Sequence, residues 1–245
     1  MPRIVFDKDK LIDHYLTPVG KLADNITIVP CEKGVHTVCS SQIGGSIVLY
    51  AEYFSEDLKT LDTKINIPDI KKFTRLLSCI KTEQITLELK SNHLAYSETD
   101  VKFKYFLLED GVMPRAPINP EKIKALTYNT TFTLTSQKFN ELLKGSSIAT
   151  DSDKIYFYTK DKSMYAELND YERQNINSIC YHLTDAVEGC DLQVPLSLSL
   201  ESVRLLAGLK ASEFIVKINS QLKIVLFEYE SEYTKISFIV SGLVK

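Results

Sequence analysis

Between Gln84 and Leu89 the chain reads QITLEL, and between Glu213 and Ile218 it reads EFIVKI. Both alternate apolar and polar residues with a period of two, the mark of a half-buried strand. A helical period precedes each. In INIPDIKKFTRLLSCIK (Ile65–Lys81), Ile70, Phe73, Leu77 and Ile80 recur at steps of three and four. In VPLSLSLESVRLLAGLK (Val194–Lys210), Val203 and Leu206 do the same. An offset of about 129 residues lays Arg75 on Arg204, Leu76 and Leu77 on Leu205 and Leu206, Ile80 on Leu209 and Lys81 on Lys210. Such self-similarity marks a duplicated unit.

The match extends both ways. Ile4–Leu11 (IVFDKDKL) resembles Phe132–Phe139 (FTLTSQKF), each a short strand running into a helix, with Asp7 or Thr135/Ser136 as N-cap. Val101–Leu108 and Thr234–Ser241 close the two halves, if the second carries a few extra loop residues. Helices are expected near Asp7–Leu22, Pro68–Ile80, Ser136–Ser146 and Ser199–Leu209. Pro18 should end or kink the first, and Pro68 suits the first turn of the second. Strand-like runs lie between them at Asn25–Pro30, Ser46–Phe54, Lys154–Lys160, Ser178–Thr184 and Leu222–Tyr229. Gly111, Pro114, Pro117 and Pro120 mark Glu109–Tyr128 as an extended connector. The reading is α+β, with two tandem similar domains each carrying two helices on an antiparallel sheet. The boundaries are 1–109 and 129–245, joined by the connector 110–128.

Composition adds limits. The chain has 245 residues, 44% apolar and 25% charged, with no apolar run near the ~18 residues that cross a bilayer. Met1–Lys10 is charged and lacks a secretory core. Five widely spaced cysteines, an odd number, argue against a disulfide framework and for a reducing compartment. An intracellular protein of the reducing cytoplasm, without a membrane partner, is expected.

Net charge is −3, so any attraction for nucleic acid must be local. The expected helices supply it. Lys8, Lys10, Lys21, Lys71, Lys72, Arg75, Lys81, Lys138, Lys144, Arg204 and Lys210 outnumber Asp7, Asp9, Asp13, Asp69, Glu141 and Glu201 there. The helices are therefore net basic and the remainder net acidic. Any one of these lysines could be an ordinary solubilising residue. As a set they predict a basic helical face and an acidic sheet face.

Tandem strand–helix–strands–helix–strands units, a long connector and basic helices are similar to the DNA sliding clamps, among them the proliferating cell nuclear antigen and the clamps of tailed phages. Tyr233–Lys245 (YTKISFIVSGLVK) resembles a clamp's last strand and tail. Val38–Tyr50 (VCSSQIGGSIVLY) takes the place of paired strands and their turn, but lacks the cellular Met-Asp-Ser-Ser-His run, which favours a viral, phage-type clamp. The resemblance implies the DNA clamp fold and a homotrimeric processivity factor that encircles double-stranded DNA. It implies a replicative DNA polymerase and a clamp loader as partners, no cofactor and no catalysis. The DNA-facing residues would be Lys10, Lys71, Lys72, Arg75, Lys81, Lys138, Lys144, Arg204 and Lys210. A shared partner-peptide pocket near the connector and tail would be lined by Ile43, Ile47, Leu49, Val112, Ile118, Val240 and Leu243.

Packing geometry agrees with three copies. Twelve helices spaced at about 10 Å close a ring of roughly 19 Å axis radius. Removing about 5 Å for each helix leaves an opening of about 28 Å. Eight helices leave only about 16 Å, roughly the sum of B-DNA's two groove depths.

Other chemistry finds no motif. His14, His36, His93 and His182 form no H-x-x-x-H pair, and Cys180 and His182 share a strand face. There is no G-x-x-x-x-G-K-[ST] loop and no G-x-S-x-G elbow, and Gly44-Gly45 reads as a turn. Asp151 and Asp153 lack the ligand series of a Ca²⁺ loop. Two other readings stand beside the clamp. One is a non-catalytic viral structural or assembly protein built from duplicated α/β domains. The other is a hydrolase centred on His182 and Asp185.

Overall fold

The structure, a computed structural model, describes residues 3–41, 47–113 and 118–243. Two compact units divide it. Unit 1 is Met1–Ser40, Leu49–Pro120 and Glu230–Ile236, and unit 2 is Ser41–Val48, Glu121–Tyr229 and Ser237–Lys245.

The first half of the chain contains β1 (Arg3–Asp7), β2 (Ile26–Cys31), β3 (Gly34–Ser41), β4 (Ile47–Phe54), β5 (Ile65–Ile67), β6 (Gln84–Leu89), β7 (His93–Ser97) and β8 (Lys102–Phe106). Their orders are β1-β6-β7-β8 and β4-β3-β2-β5. The second half contains β9 (Thr130–Thr135), β10 (Lys154–Lys160), β11 (Ser163–Leu168), β12 (Ile179–Thr184), β13 (Val187–Gly189), β14 (Leu196–Ser199), β15 (Glu213–Asn219), β16 (Ile224–Glu230) and β17 (Thr234–Ser241). Its orders are β9-β15-β16-β17, with β13 added beside β9, and β12-β11-β10-β14. Strand for strand the two halves repeat. Single bonds repeat as well. Lys8 N–H donates to Glu83 O (2.8 Å) as Ser136 N–H does to Ser212 O (2.9 Å), and Ile70 N–H to Asp24 O (2.8 Å) as Leu200 N–H does to Asp153 O (2.8 Å).

The first helical segment is α1 (Lys8–Leu11), a π turn (Ile12–Leu16) and α2 (Thr17–Gly20). Asp7 caps it by accepting from Lys10 N–H. The helix does not end at Pro18 but changes register there. Thr17 N–H bonds Ile12 O, five residues back, so the ladder shifts register just before the proline. Pro18 then falls in the first turn of α2, where its missing N–H costs little.

The second helix, α3 (Ile70–Ser78), starts later than expected. Asp69 is its N-cap, accepting from Lys72 N–H at 2.8 Å, which leaves Pro68 outside. Ile70, Phe73 and Leu77 are buried, Phe73 with its ring 5.0 Å from that of Tyr105. Helix α5 (Ser136–Gly145) is capped by Thr135. The last helix, α6 (Leu200–Arg204), stops well before Leu209. Ser199 makes no side-chain cap bond there, and Gly208 at φ 71° turns the chain into the left-handed region that ends helices.

The connector is not wholly extended. It contains a short helix, α4 (Pro120–Lys124), with Ile123 buried. Pro120 is pre-set for a first helical position, and Glu121 and the lysines suit the two ends. Among the described residues no helix is long and apolar enough to cross a membrane.

Candidate nucleic-acid face and partner groove

In unit 1 the buried side of α3 turns Lys71, Lys72 and Arg75 to solvent. Lys72 and Arg75 make no ion pair among the described residues. Lys71 bonds Asp24 at 2.8 Å, and Lys81 lies 3.8 Å from Asp100 with both side chains mostly exposed. Lys10 is engaged on two sides. Its ammonium lies 3.2 Å from Asp7 and 4.5 Å over the Tyr233 ring. The hydrogen bond to Asp7 raises the Lys10 pKa. For Asp7 desolvation is the largest single effect and pushes the pKa up, but the backbone and side-chain bonds and charge of Lys10 together outweigh it and hold the carboxyl below its ordinary range.

In unit 2 Lys144 is exposed and makes no ion pair among the described residues. Lys138 lies 3.4 Å from Glu141. Arg204 is exposed and donates from Nη2 to Ser146 Oγ at 3.0 Å, joining α6 to the end of α5. Lys210 is exposed and partnered.

Unit 1 also carries an open groove of about 750 Å³. Leu22, Ile26, Val29 and Val38 supply apolar surface, Thr27, Asn66 and Asp110 polar groups, and Gly111, Met113 and Pro120 a wall of connector.

On the outer side of β11 and β12, Asp185 Oδ1 accepts from Ser163 Oγ at 2.7 Å and sits 2.8 Å from His182 Nε2. Both bonds hold its carboxyl below the ordinary range, that from Ser163 most. The hydroxyl is spent on the carboxylate and is not offered to the imidazole, so this is no nucleophile–base pair. Among the described residues no group of three or more His, Cys, Asp or Glu could hold a metal.

No family model and no curated protein matches this sequence. Solved structures do match. A. fulgidus PCNA bound to the C-terminal region of FEN-1 aligns with a TM-score of 0.78 at 15% identity, covering 100% of this chain and 99% of that one. PCNA from Entamoeba histolytica aligns at 0.75 and 14% identity, covering 99% and 98%. The PCNA2–PCNA3 complex from Sulfolobus tokodaii gives 0.71 and 13%, covering 98% of each chain. This is the sliding-clamp fold.

Against the clamp fold the expected pocket residues separate. Ile47, Leu49 and Val240 are 1%, 0% and 1% exposed. They point inward on β4 and β17, so the structure corrects them from pocket lining to core. Val112 is exposed, Ile118 and Leu243 are half-buried, and Ile43 lies outside the described residues. The connector instead lends Met113 and Pro120, neighbours of Val112 and Ile118, to the groove. Leu22, Thr27 and Asn66 were not legible as groove residues, because no short-range periodicity distinguishes them from core. In unit 2, Val194 and Leu222 are exposed at 73% and 59%. Beside them the tail is pinned by Gly242 N–H to Lys223 O (2.6 Å) and Leu243 N–H to Ser197 O (2.8 Å).

Proposed function

We propose that this chain is one subunit of a homotrimeric ring that encircles duplex DNA and holds a DNA polymerase on it. The observation that supports this most is the repeat of one exposed cation. Arg75 and Arg204 stand at matching points of two equivalent folds, each on a helix whose other side is buried. Six such units around a duplex would present weak, sequence-independent contacts to phosphate, which retain DNA without arresting it. In that ring each chain would contribute two tandem clamp domains, 1–109 and 129–245, joined by residues 110–128.

Ring closure uses unpaired strand edges. The edge strands β8 and β12 are the candidates, and β8 ends in Phe106, 60% exposed. A closed ring needs a separate, ATP-consuming loader. Partner proteins would dock by short peptides with spaced apolar anchors; the A. fulgidus PCNA that this chain is similar to has the C-terminal region of FEN-1 bound to it. The unit 1 groove and the tail are the docking candidates. The clamps matched come from cellular organisms, which lends no support to a viral source for residues 38–50.

Light scattering after size exclusion tests the ring. The expected mass is three times the 27.8 kDa of the chain. A monomer or an even-numbered assembly would favour the assembly-protein reading. Retention on closed circular DNA, with release on linearisation, tests the topology. Deleting Gly242–Lys245 should weaken polymerase binding, and full affinity would remove the tail from the docking surface.

A further inference from the structure

Asn66 is 5% exposed and stands on β5 directly across from Thr27 of β2. Its Oδ1 accepts from Thr27 Oγ1 at 2.9 Å. Its Nδ2 donates to Leu108 O at 3.2 Å and to Asp110 Oδ1 at 2.9 Å. Its backbone O accepts from Leu108 N–H at 3.2 Å. Turning the amide over would set a carbonyl oxygen against Leu108 O and the Asp110 carboxylate, so one orientation alone satisfies the site.

These bonds fall where β8 gives way to the connector. Asn66 and Asp110 both line the unit 1 groove, and Gly111 and Met113 carry its wall onward. Side-chain packing does not hold that turn. Gly111 lies at φ 94° with nothing within 4 Å of the place a Cβ would take, and Val112 is 63% exposed. The restraint must come from hydrogen bonds. One is local, Val112 N–H to Glu109 O at 3.3 Å. The others are those of Asn66.

We infer that Asn66 is a positioning residue that clasps the start of the connector, Leu108 to Met113, and so presets one wall of the groove. The inference rests on the docking reading above. A wall already in place spares an arriving peptide the entropy of ordering it. If release left the wall formed only a tenth of the time, affinity would fall about tenfold.

Hydrogen exchange on the full chain, read by mass spectrometry without ligand, tests the clasp. Asn66→Asp keeps the bond from Thr27 but sets a carboxylate against Leu108 O and Asp110. It should raise exchange of the peptide covering residues 107–113 about tenfold, leaving β6 and β15 as protected as before. Adding Asp110→Asn supplies a donor from the other side and should return protection towards wild type. Asp110→Ala, at an exposed position that leaves the core untouched, should raise exchange of the same peptide by a smaller factor even if Asn66→Asp fails to fold. Unchanged protection in Asp110→Ala would overturn the clasp. So would a rise spread evenly over the chain in a folded Asn66→Asp, or no recovery in its double variant. Because no ligand enters, failure to bind any polymerase peptide would count against the docking reading alone.

Discussion

Arg204 Nη2 and Ser146 Oγ lie 3.0 Å apart, a bond between the last helix of the chain and the end of α5. A hydroxyl orients a guanidinium without neutralising it. Lys10 differs, lying between Asp7 and the Tyr233 ring, as does Lys138 beside Glu141. The basic residues therefore fall into two sets, one holding its full charge and one partly compensated.

Charge reversal should separate the sets. Lys72→Glu, Arg75→Glu and Arg204→Glu together should reduce processive synthesis while the trimer persists. Each lost phosphate contact should flatten the log–log salt dependence of DNA retention by about 0.9. Reversing Lys10, Lys71 and Lys138 should do less. Equal losses from the two triples would remove the distinction, and no loss from the first would reject the DNA-facing assignment.

Proline at position 104 should break assembly and spare the subunit. Leu107 N–H donates to Asn92 O, which fixes the alternation of the β7–β8 ladder. Lys104 faces Ala95 at a non-bonded pair, so its N–H points to the open edge. Lys104→Pro then removes only a donor that a second chain would use. The expected result is a folded monomer by light scattering with an unchanged circular dichroism spectrum. A trimer of wild-type stability would exclude β8 from the ring contact.

Gly145 leaves room for the Tyr181 ring of β12. A Cβ there would lie 2.8 Å from Tyr181 Cζ and closer still to its Oη. Overpacking of this kind costs about 1–3 kcal/mol, against up to about 1 kcal/mol returned by alanine's helix propensity. Gly145→Ala should therefore lower the urea midpoint, and Tyr181→Phe, which removes the nearest atom, should restore part of it. A stabilised Gly145→Ala would show that β12 yields without cost.

Acid should loosen unit 2 through Asp170. Its carboxylate is buried, 3.1 Å from Lys154 and 3.3 Å from Arg173. The hydrogen bond from Lys154 leads the effects that hold its pKa below the ordinary value. A depressed folded value stabilises above the unfolded pKa of about 3.9 and loses that contribution as pH falls through the folded one. Asp170→Asn should cost on the order of 2 kcal/mol at neutral pH and should flatten the stability profile as pH falls below about 5. Urea midpoints across that window check both. An unchanged acid limb would assign it to other carboxylates.

Much of the fold is legible in the sequence. The strands QITLEL and EFIVKI and the cap residues Asp7 and Thr135 stand where their periodicity and chemistry placed them. Pro18 does not end the first helix, and a π turn that admits a proline has no sequence signature. Ile47, Leu49 and Val240 misled. An apolar residue on a strand reads the same whether it faces a core or a ligand.

The duplication and the location of the basic helices are local properties of the chain, because strand alternation, helical spacing and caps are written within a few neighbouring residues. Which cations keep their charge uncompensated, and where a groove opens, are set by the folded chain. Those outcomes depend on partners far apart along the chain, such as Lys8 with Ile80 O across 72 residues and Asn66 with Leu108 across 42. Sheet register brings such groups together, and no local pattern records it.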